Sequence, residues 1–283
     1  MNNIKLNDFL LNVIVDKNLD ICKKLKKIRC LFAIGADVNY QEKGLGFTPL
    51  MKACYLGQDD VIDVILEKNP ELEIKNYNGE NALMIAVRMG KVGVVDKLHK
   101  KNCKIDYKYD GSMSLIKMAT TSGDVEMIKK LADIGCDINE VDGMGWTSLM
   151  WAVHYQSKDV FDALLDCGAD VEKKGKYSDC PLIEAVSLQD MYMAKKLVEK
   201  GADVNDIGSF GRTSLMFAVM RKNEDMVKYL LSKGADYSIK DNRGDNAIVY
   251  ALISGNEKVL KLLENKKNEK LKIYFGKMNN EKC

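Results

Sequence analysis

Alanine recurs at Ala53, Ala86, Ala119, Ala152, Ala185, Ala218 and Ala251, an interval of 33 residues held without slippage. Three positions before each stands an apolar partner: Leu50, Leu83, Ile116, Leu149, Leu182, Leu215 and Ile248. A second apolar register runs through Ile65, Leu98, Leu131, Leu164, Leu197, Leu230 and Leu263, and Gly135, Gly168, Gly201 and Gly234 mark a turn in the same phase. Gly35 stands 34 residues before Asn69, so the first loop carries one extra residue. A fixed period of this length is the signature of an array of small units, each too small to bury an apolar face alone.

Within one period the pattern predicts two short helices. Thr48 supplies a hydroxyl to the free N–H groups of a first turn, and Pro49 takes the first helical position at no hydrogen-bond cost. Leu50, Ala53 and Cys54 form one apolar stripe, and Gly57 ends the helix. Val61, Ile62, Ile65 and Leu66 form the second stripe, followed in most repeats by a Gly-Ala-Asp-Val-Asn type turn. Helices of about 8 to 11 residues are marginal alone, so they must stack on neighbouring pairs and the stack must be closed at its ends. Residues 1–34 fit an N-terminal capping helix pair, with Leu6, Phe9, Leu10 and Val13 as one stripe and Leu19, Cys22, Leu25, Leu31 and Ile34 as a second. Residues 35–265 form the array of about seven repeats. Residues 266–283, rich in Lys and Asn, read as a C-terminal cap and basic tail. Irregular turns are expected at Ser112–Leu115 and Ser178–Pro181, and a closing cap beyond Glu264.

Thr48-Pro49-Leu50-Met51-Lys52-Ala53, Thr147-Ser148-Leu149-Met150-Trp151-Ala152 and Thr213-Ser214-Leu215-Met216-Phe217-Ala218, with the loops Gly35 to Asn39 and Gly201 to Asn205, resemble the ankyrin repeat family. The resemblance implies an all-α, helix-turn-helix solenoid with projecting β-turn loops. It also implies a non-catalytic protein–protein interaction module, an adaptor, scaffold or inhibitor. In proteins resembling this one, the partner face is built from the turn tips and the end of each first helix. Carrying those positions over selects Phe47, Tyr55, Tyr77, Arg88, Met113, Met144, Trp146, His154, Tyr155, Tyr177, Phe210, Arg212 and Arg221 as partner-binding residues. Trp, Tyr and Arg dominate interface energetics because they bury large rigid areas or make several directed hydrogen bonds. Trp151 and Phe217, before the recurrent alanine, are expected to pack between first helices, and His99 to pack as a neutral side chain among second helices.

Charge and chemistry narrow the function further. Forty-three Lys plus Arg nearly cancel 41 Asp plus Glu, which argues against a nucleic-acid-coating protein. The eight cysteines form no C-x-x-C pair, and reduced structural thiols in a reducing, cytoplasmic setting follow. No segment approaches the roughly 18 to 20 apolar residues of a membrane span. With only His99 and His154 available, a multi-histidine metal centre is excluded. No phosphate-cradling loop, H-E-x-x-H or EF-hand pattern occurs, and Gly143-Met144-Gly145 is a turn tip in register. Cys180 stands at a helix-cap position, with nothing to orient a base beside it. The expectation is therefore a monomer without catalytic residues, cofactor or metal, binding a protein partner of unknown identity and neither nucleic acid nor membrane. A regulatory subunit of a separate enzyme and a self-associating array remain open alternatives. The excess of Lys over Arg suggests an AT-rich genome, and with a host-associated source a host-directed effector is a further alternative.

Overall fold

The computed structural model describes residues 3–106, 108–109, 113–176 and 180–266. The chain divides into two compact units, Met1–Gly143 and Met144–Cys283. The first holds eight helices among its described residues: α1 (Asn3–Val15), α2 (Ile21–Ala33), α3 (Pro49–Leu56), α4 (Asp59–Leu66), α5 (Ala82–Arg88), α6 (Val92–Lys100), α7 (Leu115–Ser122) and α8 (Val125–Asp133). The second holds α9 (Ser148–His154), α10 (Lys158–Asp166), α11 (Pro181–Ser187), α12 (Met191–Glu199), α13 (Ser214–Met220), α14 (Glu224–Ser232) and α15 (Ala247–Ser254), followed by helical residues 257–266. Strand structure is slight: β1 (Lys108–Tyr109) pairs antiparallel with β2 (Met113–Ser114), and Ile207 forms a bridge with Thr213. The hairpin falls where an irregular turn was expected.

The alanine register is where first helices meet. In one unit α1, α3, α5 and α7 pack in succession, and in the other α9, α11, α13 and α15 do the same. Each of the seven alanines is at most 1% exposed. A small side chain there lets two helix backbones approach, and interior packing leaves no room for a larger one. The second register, from Ile65 to Leu263, is fully buried beneath the second helices. Burying each such Leu or Ile contributes roughly 1.5–3 kcal/mol, which offsets the weak propensity of helices only seven to nine residues long.

Caps fix where each first helix starts. Thr48, Asn81, Ser114, Thr147 and Thr213 each accept a bond from the backbone N–H three residues on, and Asn246 accepts from both Ile248 and Val249. Cys180 is the exception: it occupies the same place without a side-chain cap bond. Three registers of left-handed residues then end the elements. One follows the first helices (Gly57, Gly90, Gly123, Gln156, Gln189, Lys222, Gly255). A second follows the second helices, from Gly35 and Asn69 to Gly234, and a third marks the turn tips at Gly46, Gly79, Gly145, Gly211 and Gly244. These registers account for every residue with positive φ among the described residues except Phe210, at φ 61° and ψ 18°.

Adjacent repeats are joined through backbone groups. The Tyr77 N–H donates to the Leu45 carbonyl at 2.9 Å, and the Asn242 N–H to the Phe210 carbonyl at 3.0 Å. Below the tips, Asn39 Oδ1 accepts from the Glu71 N–H at 2.9 Å and Asn205 Oδ1 from the Asp236 N–H at 2.7 Å. Asn7, buried in α1, accepts the Asp37 N–H at 2.8 Å in the same manner. The N-terminal helix pair thus engages the first loop as one repeat engages the next. The extra residue of that loop is absorbed in its tip, where the Glu42 N–H reaches the Phe47 carbonyl across five positions, against four for Asn76 to Glu80.

Candidate functional site

In the Met144–Cys283 unit, four rings gather at the start and end of α9. Trp146 precedes the Thr147 cap, Trp151 and His154 lie on the helix, and Tyr155 closes it. Trp151 and Tyr155, one helical turn apart, stack with centroids 5.5 Å apart and planes at 23°. Trp146 lies 5.0 Å from Trp151 and 5.4 Å from His154. Offset and edge-to-face arrangements at these separations add stabilisation beyond area burial. His154 Nδ1 is 2.8 Å from Glu184 Oε1 on α11, which fixes the imidazole against the next repeat. The two indoles are half-buried, whereas His154 and Tyr155 are exposed, Tyr155 by 55%. Met144 at the adjoining tip is also exposed.

The same unit carries a second group of selected residues. Phe210 is 70% exposed, and the Arg212 guanidinium lies 5.5 Å from its ring centroid and 5.7 Å from that of Tyr250. Arg212 Nε donates to the Tyr250 hydroxyl at 3.1 Å, and that hydroxyl donates to Asp241 Oδ2 at 2.6 Å. The Tyr250 hydroxyl, with the backbone N–H groups of Asp245 and Arg243, holds the Asp241 carboxyl below the usual carboxylate range. Burial, and then the bond to Asp241, pushes the Tyr250 phenol up. Arg221 is exposed, with Nη2 at 3.4 Å from Ser187 Oγ.

In the Met1–Gly143 unit, Tyr55 and Tyr77 are exposed as expected, but Phe47 is not. It is 5% exposed, with Lys52 Nζ 4.8 Å from its ring centroid and Tyr55 edge-on at 6.2 Å. Lys52 is held there by Glu42 at 2.9 Å. The tip therefore folds its phenylalanine inward, and Phe47 offers no surface to a partner. Arg88 grips Glu80 through Nε at 2.7 Å and Nη2 at 3.2 Å. Met113 is half-buried in β2, and Tyr177 lies outside the described residues.

Two readings are corrected. Trp151 and Phe217 are not enclosed between first helices; both are half-buried, and Trp151 joins the ring cluster, because the helix turn that buries Ala152 points the preceding side chain toward the tip. His99 is exposed, unlike Leu66, Leu165 and Leu231 in the same register; Leu98 alone meets the core at that turn. Glu184 was not singled out at all. The available signal was its register, since it occupies the place of Trp151 one repeat later.

Four of the thiols are held back from reaction. Burial pushes Cys103, Cys136 and Cys180 up to about 12 and Cys54 upward as well, whereas nucleophilic chemistry needs the thiolate. Among the described residues no group of three or more His, Cys, Asp or Glu could hold a metal ion, and no helix is long and apolar enough to cross a membrane.

A family model of ankyrin repeats matches residues 10–109, 94–175, 115–207 and 182–273. The chain belongs to the ankyrin repeat family. A comparison with curated proteins finds no match. Among solved structures the chain is similar to the ankyrin repeat domain of Bcl-3, a member of the IkappaB protein family. The TM-score is 0.71 at 25% sequence identity, over 79% of this chain and all of that one. Because 582 solved chains match, membership of the ankyrin repeat family selects no partner. It does establish a repeat architecture whose known use is protein–protein interaction without catalysis, and a fold alone does not name a partner.

Proposed function

We propose that this ankyrin repeat protein acts by binding and not by catalysis, gripping a partner protein with the tips and first-helix ends of its repeats. The α9 ring cluster is its principal anchor in the Met144–Cys283 unit. The observation that carries the reading is the cluster itself: Trp146, Trp151, His154 and Tyr155 pack on one another, Glu184 holds the imidazole, and Tyr155 faces solvent. Large rigid rings already ordered before binding lose little conformational entropy on docking, which is what an interface anchor requires. The full chain acts as an adaptor, scaffold or inhibitor, as a monomer and without a cofactor.

The test compares affinity capture by the wild type and by Trp146→Ala/Tyr155→Ala from lysates of the source organism and any host, read by quantitative mass spectrometry. Tyr155→Ser, which removes only an exposed ring, serves as a second variant, and helical circular dichroism checks that both are folded. A partner retained by the wild type and depleted at least tenfold with both folded variants is expected. Equal recovery with the folded variants would exclude the cluster as anchor.

A further inference from the structure

Phe210 departs from the backbone pattern of the whole array. Every other left-handed residue among the described residues belongs to one of the three 33-residue registers; Phe210 belongs to none and places a bulky side chain where glycine or asparagine is usual. Such strain persists only where the surroundings over-determine it, and it concentrates at binding sites. Here the surroundings are on view. The Phe210 carbonyl accepts the Asn242 N–H at 3.0 Å, the Gly208 N–H donates to the Arg212 carbonyl at 2.9 Å, and the Arg212 guanidinium stacks beneath the ring while bonded to Tyr250. The result is a rigid tip whose aromatic ring is 70% exposed.

The charges around it are unlike those elsewhere. Of the five arginines, Arg29 pairs with Glu67, Arg88 with Glu80, and Arg212 approaches Asp241. Arg221 and Arg243 are exposed and have no carboxylate partner among the described residues. Arg243 follows Asn242, which is bonded to the Phe210 carbonyl, and Arg221 follows Met220 at the end of α13, with Nη2 3.4 Å from Ser187 Oγ on the preceding first helix. At the 33-residue period Arg88 and His154 correspond to Met220, and their partners Glu80 and Trp146 to Arg212, so the contacts of the equivalent residues place Met220 beside Arg212, whose guanidinium lies against the Phe210 ring.

We infer that Phe210, Arg221 and Arg243 form a docking site for an acidic segment of a partner protein. Two of its carboxylates meet these two guanidiniums, and an apolar side chain lies against Phe210 and the exposed Met220. Guanidinium forks match carboxylates in a directed, bidentate manner that lysine cannot reproduce. The inference rests on the proposed interaction role but on different side chains from the α9 cluster.

The test pans a random twelve-residue peptide library on the full chain. Selected peptides enriched at least threefold in Asp and Glu over the input are expected. By fluorescence anisotropy the best selected peptide should bind Arg221→Ala/Arg243→Ala, and separately Phe210→Gly, at least tenfold more weakly than wild type. Phe210→Gly should melt no lower than wild type, since glycine relieves the left-handed strain. Replacing the peptide's acids by their amides should cost a similar factor. No enrichment over bare support, no acidic bias, or unchanged binding to the variants would overturn the inference. Competition by a twelve-nucleotide thymidine strand at equal affinity would overturn it in favour of a nucleic acid. Trp146→Ala/Tyr155→Ala separates the two readings: if it keeps the acidic selection while its partner recovery is unchanged, only the α9 anchor fails.

Discussion

The tips preceding α5 and α9 occupy the same place in the repeat and are filled by opposite chemistries. In the first, Glu80, Ile85 and Arg88 make a bidentate ion pair above a buried aliphatic side chain. In the second, Trp146, Trp151 and His154 fill the identical positions with rings. Beneath both, the cap, the recurrent alanine and the apolar residue three positions before it are equally buried and equally bonded: Asn81, Leu83 and Ala86 against Thr147, Leu149 and Ala152. The lesson is a separation of tasks. The inward side chains of a first helix specify the stack, and those at its tip are free to specify a surface.

The most damaging way to probe this separation is beneath both tips. Leu83→Ala and Leu149→Ala should each cost about 2–5 kcal/mol, because each deletes a fully buried side chain and leaves a cavity; urea unfolding of the full chain would show whether the two losses are alike. Markedly unequal losses would mean that the surface chemistry feeds back on the scaffold. A smaller and deliberately unequal effect is expected above the core. Arg88→Ala leaves Glu80, whose side chain is only 8% exposed, without its ion pair and with the bond from Asn76 Nδ2 remaining, and should cost about 1–3 kcal/mol. His154→Ala should cost less, since Glu184 is more open to water at 20%; thermal melts of the two variants check the order. The weakest effect belongs to the outer faces of the second helices, where Asp63 pairs with Lys97 at 2.9 Å and Asp96 with Lys130 at 2.8 Å. Lys97→Ala should change stability by under about 1 kcal/mol, and the difference should vanish in molar salt.

Much of this architecture is legible in the sequence because the period makes each signal repeat. One Thr-Pro or one buried alanine is weak evidence, but seven alanines in phase with apolar partners and turn residues leave only one arrangement that buries them all. Caps are legible for the same reason, down to the irregular Cys180. The surface is legible in place but not in disposition. Phe47 and Phe210 both look like exposed tip aromatics; one is folded under Lys52 and the other held out in a left-handed conformation. The two stand at different places in the tip: Phe47 directly precedes its cap and packs under Lys52 and Tyr55 of its own repeat, whereas Phe210 stands three positions before its cap and its carbonyl takes the Asn242 N–H of the next repeat. The Glu184 bond to His154 escapes notice for a related reason: it joins two repeats, and a reading repeat by repeat does not ask which side chains face each other across the gap.

The distribution of thiols has a temporal consequence. Cys22 and Cys30 are open to solvent on α2, whereas Cys54 and Cys103 in the first unit and Cys180 in the second are enclosed and held protonated by burial. An alkylating reagent at neutral pH meets the first pair at once and the others only when a helix pair opens. The order and rate at which the enclosed thiols become modified are therefore a clock for the opening of individual repeats, carried by the natural side chains.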